Sequence, residues 1–299
     1  MSKGLPLSAL GIMLFCNVAW AMNVVVSKIA VSTLGLPPLF YTVLRSATVL
    51  IVLFPLLRQI PARLPLVLAI GFAISGGSFS LQFMGLQSAT PSALGIVSLA
   101  GAPMTVLFAV VFLGEEVRWR RGLGMALALG GVGLAMGAPS EGSSFMGLAL
   151  GFAGVLVGSL GSVFVKRIEV SSIALQGWAG LVSLSVMLPM TFAFETDQLE
   201  AIRVAPVAAA GCVLFAGVVV SVGAHGAYFR LLQAHDANLI VPLTLMTPLL
   251  TIAFGAWLTG DAIGWPLIIG GALAIIGVAI IVIRPSRNIF KPLLVRPRL

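Results

Sequence analysis

Long apolar runs, each about twenty positions, alternate along the chain with short breaks holding charges, prolines and glycines. A helix needs about 20 apolar residues to cross the hydrocarbon core of a bilayer. The runs predict ten spanning helices, over 5–30, 38–57, 65–87, 91–113, 122–138, 145–165, 173–194, 205–232, 238–258 and 264–283. The runs are continuous, whereas a membrane strand would alternate over about 10 residues. The predicted class is therefore an all-α integral membrane protein. The first run carries Lys3 before it and Ala19-Trp20-Ala21 within it, which imitates a secretory signal and its cleavage site. Its apolar sequence continues through Met22 to Ala30, so it reads as a retained helix.

Composition sharpens this picture. The 299 residues are 59% hydrophobic and 9% charged, with a mean hydropathy of +1.13, against about 25% charged in soluble domains. That excludes a soluble enzyme, a nucleic-acid-binding domain and a disordered protein. The net charge of +8 then reads as cytoplasmic loop charge. With the N-terminus cytoplasmic, the inner loops carry Lys3, Arg58, Arg63, Arg118, Arg120, Arg121, Lys166, Arg167 and Arg230, and the tail adds Arg284, Arg287, Lys291, Arg296 and Arg298. Outside stand only Lys28 and Arg203, beside Glu141, Glu195, Asp197, Glu200 and Asp261. Both termini are expected in the cytoplasm, with the basic tail against anionic headgroups. Cys16 and Cys212, deep in apolar runs, read as small fillers and form neither a disulfide framework nor a metal set.

The chain repeats itself. Phe83-Met84-Gly85-Leu86-Gln87-Ser88-Ala89 is similar to Phe229-Arg230-Leu231-Leu232-Gln233-Ala234-His235, and each is followed by an apolar helix with a central proline, Pro103 or Pro248. Those helices end alike, Leu113-Gly114-Glu115 against Thr259-Gly260-Asp261. The next pair matches at Gly124 with Gly270 and Gly131 with Gly277, and Val26-Ser27-Lys28 aligns with Phe164-Val165-Lys166. Five helices per copy is odd, so the second copy enters the membrane from the opposite side, the inverted-repeat plan of secondary transporters. The expected organisation is a first five-helix repeat over 1–139, an inverted second over 140–284, a central cavity between them, and a basic cytoplasmic tail over 285–299.

These residues also resemble a known family. Trp20-Ala21-Met22-Asn23 with Lys28, Leu44-Arg45-Ser46, and Ala102-Pro103 with Phe112-Leu113-Gly114-Glu115-Glu116 are similar to the ten-helix, EamA-type branch of the drug/metabolite transporter superfamily, over about residues 8–284. The resemblance implies a carrier in the bacterial cytoplasmic membrane, exporting amino acids, aromatic and other hydrophobic or neutral ones. Gly158 at the position matching Trp20, and Thr259-Gly260-Asp261 in place of a Gly-Glu ending, depart from the pattern and set the two halves apart.

Polar residues within a membrane span are costly and are functional candidates by default. Ser75, Phe79 and Gln82 form one stripe of the third helix, and the repeat places Ser221, His225 and Tyr228 in register on the eighth. Trp20 and Asn23 share a face of the first helix, with Trp20 away from the interfacial belt where Trp usually sits. Ser98, Thr244 and Thr247 precede the two prolines, which free backbone carbonyls and make Pro103 and Pro248 candidate hinges. For the stripe serines and Gln82 the competing role is ordinary helix glue. Arg45 is expected to snorkel to the headgroups, with a substrate carboxylate as the alternative partner. Lys28 is expected to cap the outer end of its helix. Gly122, Ala126, Gly130, Gly133 and Gly137 on the fifth helix, and Gly147, Gly151, Gly154, Gly158 and Gly161 on the sixth, are assigned to close packing.

The function expected is amino-acid export by alternating access; the alternative is export of another metabolite or drug, or channel-like facilitation. No phosphate-binding loop occurs, so ATP hydrolysis is not expected, nor is any cofactor or metal. An intramembrane hydrolase would need a nucleophile motif that is absent, so the chain is not read as an enzyme. Its partners are a small-molecule substrate and membrane lipids, with no nucleic acid, and a monomer is the simplest state.

Overall fold

The computed structural model describes residues 5–235 and 237–283; Lys3, Asp236 and the basic segment from Arg284 onward lie outside them. Among the described residues every regular element is helical. Among these residues nine rods are long and apolar enough to cross a membrane: α1 (Leu7–Thr33), α2 (Pro38–Arg58), α3 (Leu64–Gln87), α4 (Pro91–Leu113), α6 (Phe145–Phe164), α7 (Ser172–Phe194), α8 (Pro206–Tyr228), α9 (Val241–Thr259) and α10 (Trp265–Val282). The remaining long helix, α5 (Trp119–Gly137), starts on Arg120 and Arg121 and is glycine-rich, which lowers its hydropathy. Side chains such as Phe15, Ile51, Val111, Phe192 and Ile276 point outward, as lipid-facing positions require.

Helices in lipid gain little from hiding apolar surface, so they associate through close van der Waals contact and hydrogen bonds. The α5–α10 pair shows how. A Cβ at Gly124 would lie 2.8 Å from the Gly277 carbonyl, and one at Gly270 would lie 2.5 Å from the Gly131 carbonyl. The contact is antiparallel and self-complementary: residues that the repeat makes equivalent exchange partners. A second matched pair joins α3 to α6 and α1 to α8. Ser78 Oγ donates to the Gly154 carbonyl at 2.8 Å, and Cys16 Sγ donates to the Ala224 carbonyl at 3.3 Å.

The expected glycine stripe on α6 packs tightly: Gly147 against Ser88, Gly151 against Leu94, Gly154 and Gly158 against Ser78, Gly161 against Ala73. The stripe expected on α5 does not. Gly122, Gly130, Gly133 and Gly137 have nothing within 4 Å of an added Cβ, and the contact face is Gly124 and Gly131, with Ala128 and Ala135. Both faces of α5 carry small residues, so composition alone does not distinguish them.

Some helical irregularities also come in matched places. A wide, π-helical turn occupies Ala73–Gly77 of α3 and another Phe215–Ala224 of α8. Helix α4 breaks at Leu99 and Ala100, and α9 opens with a tight 3-10 turn over Val241–Leu245. Pro103 and Pro248, both buried, follow these breaks and cannot donate to the carbonyls four residues before them. Glycine C-caps in the left-handed region end α4 and α9, Gly114 at φ 66° and Gly260 at φ 67°.

Candidate functional site

Two chambers meet inside the bundle. The larger, about 470 Å³, lies between α2, α3, α6, α7 and α8 and is lined by Ser46, Ser75, Ser162, Ser172, Gln176, Ser221 and Tyr228 among others. The smaller, about 210 Å³, lies between α1, α3, α4 and α9 and is lined by Trp20, Asn23, Gln82, Phe83, Leu94, Ser98 and Thr247 among others. Arg45, Phe79 and His225 border both. Among the described residues no Asp or Glu lines either chamber.

Arg45 is the residue that snorkelling misplaces. Its side chain is 4% exposed and turns into the bundle, with the guanidinium carbon 3.6 Å above the Phe79 ring and Nε donating to Ser221 Oγ at 3.0 Å. Its Nη1 is buried with no hydrogen-bond partner among the described residues. A guanidinium stacks on aromatic faces because it is planar and weakly hydrated. Two turns into a span, a long basic side chain can reach either headgroups or an inner cavity, and hydropathy does not separate these.

The wide turns position the polar stripe of α8. Ser221 Oγ donates to the Ala216 carbonyl, five residues back, at 2.7 Å, and its lone pairs are left for Arg45. His225 Nδ1 lies 2.9 Å from the Val220 carbonyl and 3.4 Å from Trp20 Nε1. One nitrogen cannot both donate to the carbonyl and accept from the indole. The shorter contact takes the proton, so Nε2 carries the lone pair and Trp20 is a ring neighbour, 5.3 Å centroid to centroid. Trp20 also meets Tyr228 edge-on at 5.2 Å.

Elsewhere the hydroxyls donate to backbone or neighbours, as the helix-glue reading anticipates. Ser98 Oγ donates to the Gly95 carbonyl at 2.6 Å, Gln82 Nε2 to Ser78 Oγ at 2.9 Å, and Thr247 Oγ1 to Asn17 Oδ1 at 2.6 Å. Each nonetheless borders the smaller chamber, where its remaining lone pairs are available. The structure therefore gathers Trp20, Asn23, Ser75, Phe79, Gln82, Ser98, Ser221, His225, Tyr228 and Thr247 around the two chambers. Thr244 stands apart, lining neither and donating to the Val241 carbonyl at 2.7 Å. Besides Arg45, Gln176 and Ser172 on α7 and Ser162 on α6 join the lining; each sits near a helix end, where a polar residue draws no notice in a sequence.

The larger chamber extends to Ser162, Val165 and Ser172, at the edge beside Arg167. The opposite edge is laced together. Lys28 Nζ donates to the Leu86 and Ala89 carbonyls at 2.7 and 3.1 Å, so it ties α1 to the end of α3 instead of capping its own helix. Glu195, following α7, accepts from the Leu39 and Phe40 amides of α2 at 2.8 and 2.9 Å. Asp261, following α9, accepts from the Ser92 amide of α4 at 2.8 Å. Carboxylates at helix N-termini satisfy orphan donors and complement the helix dipole.

A bundle of membrane-length helices around internal chambers with scattered polar groups, reaching one edge and laced at the other, has the form of a membrane transporter. The chain belongs to the EamA-like transporter family, whose model matches residues 7–137 and again 145–283. It is a multi-pass membrane transporter and not an enzyme. It is 26% identical over 279 residues to a probable amino-acid metabolite efflux pump of Salmonella typhimurium, covering 88% of this chain and 91% of that protein. It is 22% identical over 273 residues to the probable amino-acid metabolite efflux pump of Escherichia coli, with the same coverage. It is 28% identical over 254 residues to the uncharacterized transporter YdeK of Bacillus subtilis, covering 81% and 85%. A solved crystal structure shares the fold, with a TM-score of 0.60 and 22% identity over 92% of this chain and 96% of that one.

Proposed function

We propose that this protein exports amino acids, aromatic and other hydrophobic or neutral ones, across a bacterial cytoplasmic membrane by alternating access. The observation that carries the reading is the paired chamber: without an acid among its described lining residues, holding hydroxyls, amides and aromatic rings, reaching the Arg167 edge, with the helices hydrogen-bonded to one another at the Asp261 edge. Hydroxyls and amides suit the polar ends of an amino acid, and rings such as Phe79 and Trp20 cover an apolar side chain. Two relatives are named probable amino-acid metabolite efflux pumps, which agrees with this substrate class and direction. The excess of Lys and Arg near the Arg167 edge makes that edge cytoplasmic, so this conformation faces inward with its external side closed.

Two inverted five-helix halves, 1–139 and 140–284, make the outward-facing form the counterpart of the inward one. The double family match and the exchanged glycine contacts of α5 and α10 support that organisation. The breaks before Pro103 and Pro248 serve as hinges, one for each gate.

Vesicles reconstituted with the protein and loaded in turn with radiolabelled amino acids test the substrate class. Neutral and aromatic ones should leave faster than from protein-free vesicles, with flux that saturates. Loss no faster than the protein-free rate for every amino acid would refute the assignment.

A further inference from the structure

Two polar atoms on residues of the smaller chamber are buried with no partner among the described residues, and they are of opposite kind. Asn23 is 8% exposed and its Oδ1, an acceptor, receives no donor. Arg45 is 4% exposed and its Nη1, a charged donor, finds no acceptor. Both residues line the same chamber of about 210 Å³. Leaving a buried polar group unsatisfied is costly, and more so when it is charged, so such a pair in one cavity points to a ligand that completes both.

The surroundings separate the two poles. On the Arg45 side, Phe79 covers one face of the guanidinium and Ser221 accepts from Nε, which leaves Nη1 as the donor with no acceptor among the described residues. Among the described residues no carboxylate lines either chamber to neutralise it. On the other side, Ser98 and Thr247 have each committed their proton, to the Gly95 carbonyl and to Asn17, so they offer lone pairs only. One pole therefore donates and carries positive charge, and the other accepts.

We propose that Arg45 Nη1 and Asn23 Oδ1 are the two poles of a site for a zwitterionic α-amino acid. The carboxylate takes Arg45. The ammonium takes Asn23, with the Ser98 and Thr247 oxygens, and the side chain lies toward Phe83 and Leu94. This assignment rests on the reading of the chain as an amino-acid exporter and adds which residues select the substrate.

Competition against labelled phenylalanine flux in reconstituted vesicles tests it with the wild-type protein alone. Unlabelled phenylalanine should compete, while phenethylamine, lacking the carboxylate, and 3-phenylpropionate, lacking the ammonium, should each compete about 10- to 100-fold less well. Arg45→Gln should lower phenylalanine flux by a similar factor, and Arg45→Lys should restore part of it. Equal competition by phenethylamine would overturn the Arg45 pole, and equal competition by 3-phenylpropionate the Asn23 pole. If the wild-type protein moves no amino acid at all, the export reading itself fails and the site assignment falls with it. Flux with undiminished phenylalanine selectivity in Arg45→Gln would also overturn the proposal.

Discussion

Asp261→Ala should open the external side. Asp261 follows α9, and its Oδ2 accepts from the Ser92 amide in the first turn of α4 at 2.8 Å. Its Oδ1 accepts from Thr259 Oγ1 at 2.6 Å, which fixes the carboxylate in place. The side chain is 9% exposed, so solvent weakens the bond little. A hydrogen bond to a charged group contributes about 1.5–3 kcal/mol. If α9 and α4 part when the external side opens, that amount favours the inward-facing form. Removing it shifts the conformational equilibrium about 10- to 150-fold, since 1.4 kcal/mol corresponds to a factor of ten. The assay is labelling of a cysteine at Ser98, in the smaller chamber, by a membrane-impermeant thiol reagent applied from outside, with Cys16 and Cys212 replaced by alanine. The labelling rate should rise by that factor in Asp261→Ala. An unchanged rate in a variant that inserts and melts normally would show that the contact is structural and holds no gate.

Other consequences follow from the same geometry. Gly131→Leu should lower the melting temperature in detergent and the yield of folded protein, because its Cβ meets the backbone of Gly270 and Ala274, and overpacking costs about 1–3 kcal/mol. Gly133→Leu, with nothing within 4 Å, should stay within about 0.5 kcal/mol of wild type, and equal effects would contradict the contact face assigned to α5. Pro103→Ala and Pro248→Ala should slow turnover more than they weaken binding and shift the Ser98 cysteine's accessibility in opposite directions; normal rates with unchanged accessibility would leave the prolines structural. Reporter fusions after Arg167 should lie in the cytoplasm and one after Glu141 outside, and the reverse pattern would invert the gate assignments.

Much of the fold is legible as hydropathy, because a bilayer imposes length and apolarity on each span. The run 91–113 becomes Pro91–Leu113, and 38–57 becomes Pro38–Arg58. The candidate stripes on α3 and α8 are legible too, since period and repeat register place Ser75 and Ser221 alike. What hydropathy does not encode is direction at fine scale. The wide turns of α3 and α8 arise from hydrogen bonding that no residue type dictates. The face of α5 is ambiguous because Gly122 and Gly124 belong to stripes of equally small residues. Arg45 and Lys28 have long stems, and only their packing decides between lipid headgroup and protein interior.

Counterflow tests the central claim, a carrier whose single cavity opens to each side in turn. Vesicles containing the protein are loaded with excess unlabelled phenylalanine and diluted into trace labelled phenylalanine. A carrier takes label up transiently above equilibrium, because unlabelled substrate leaving returns the empty-facing site outward for the next labelled molecule. Such an overshoot, absent from protein-free vesicles, is the predicted result. Label that only rises to equilibrium, at a rate indifferent to the internal load, would contradict alternating access and describe a channel.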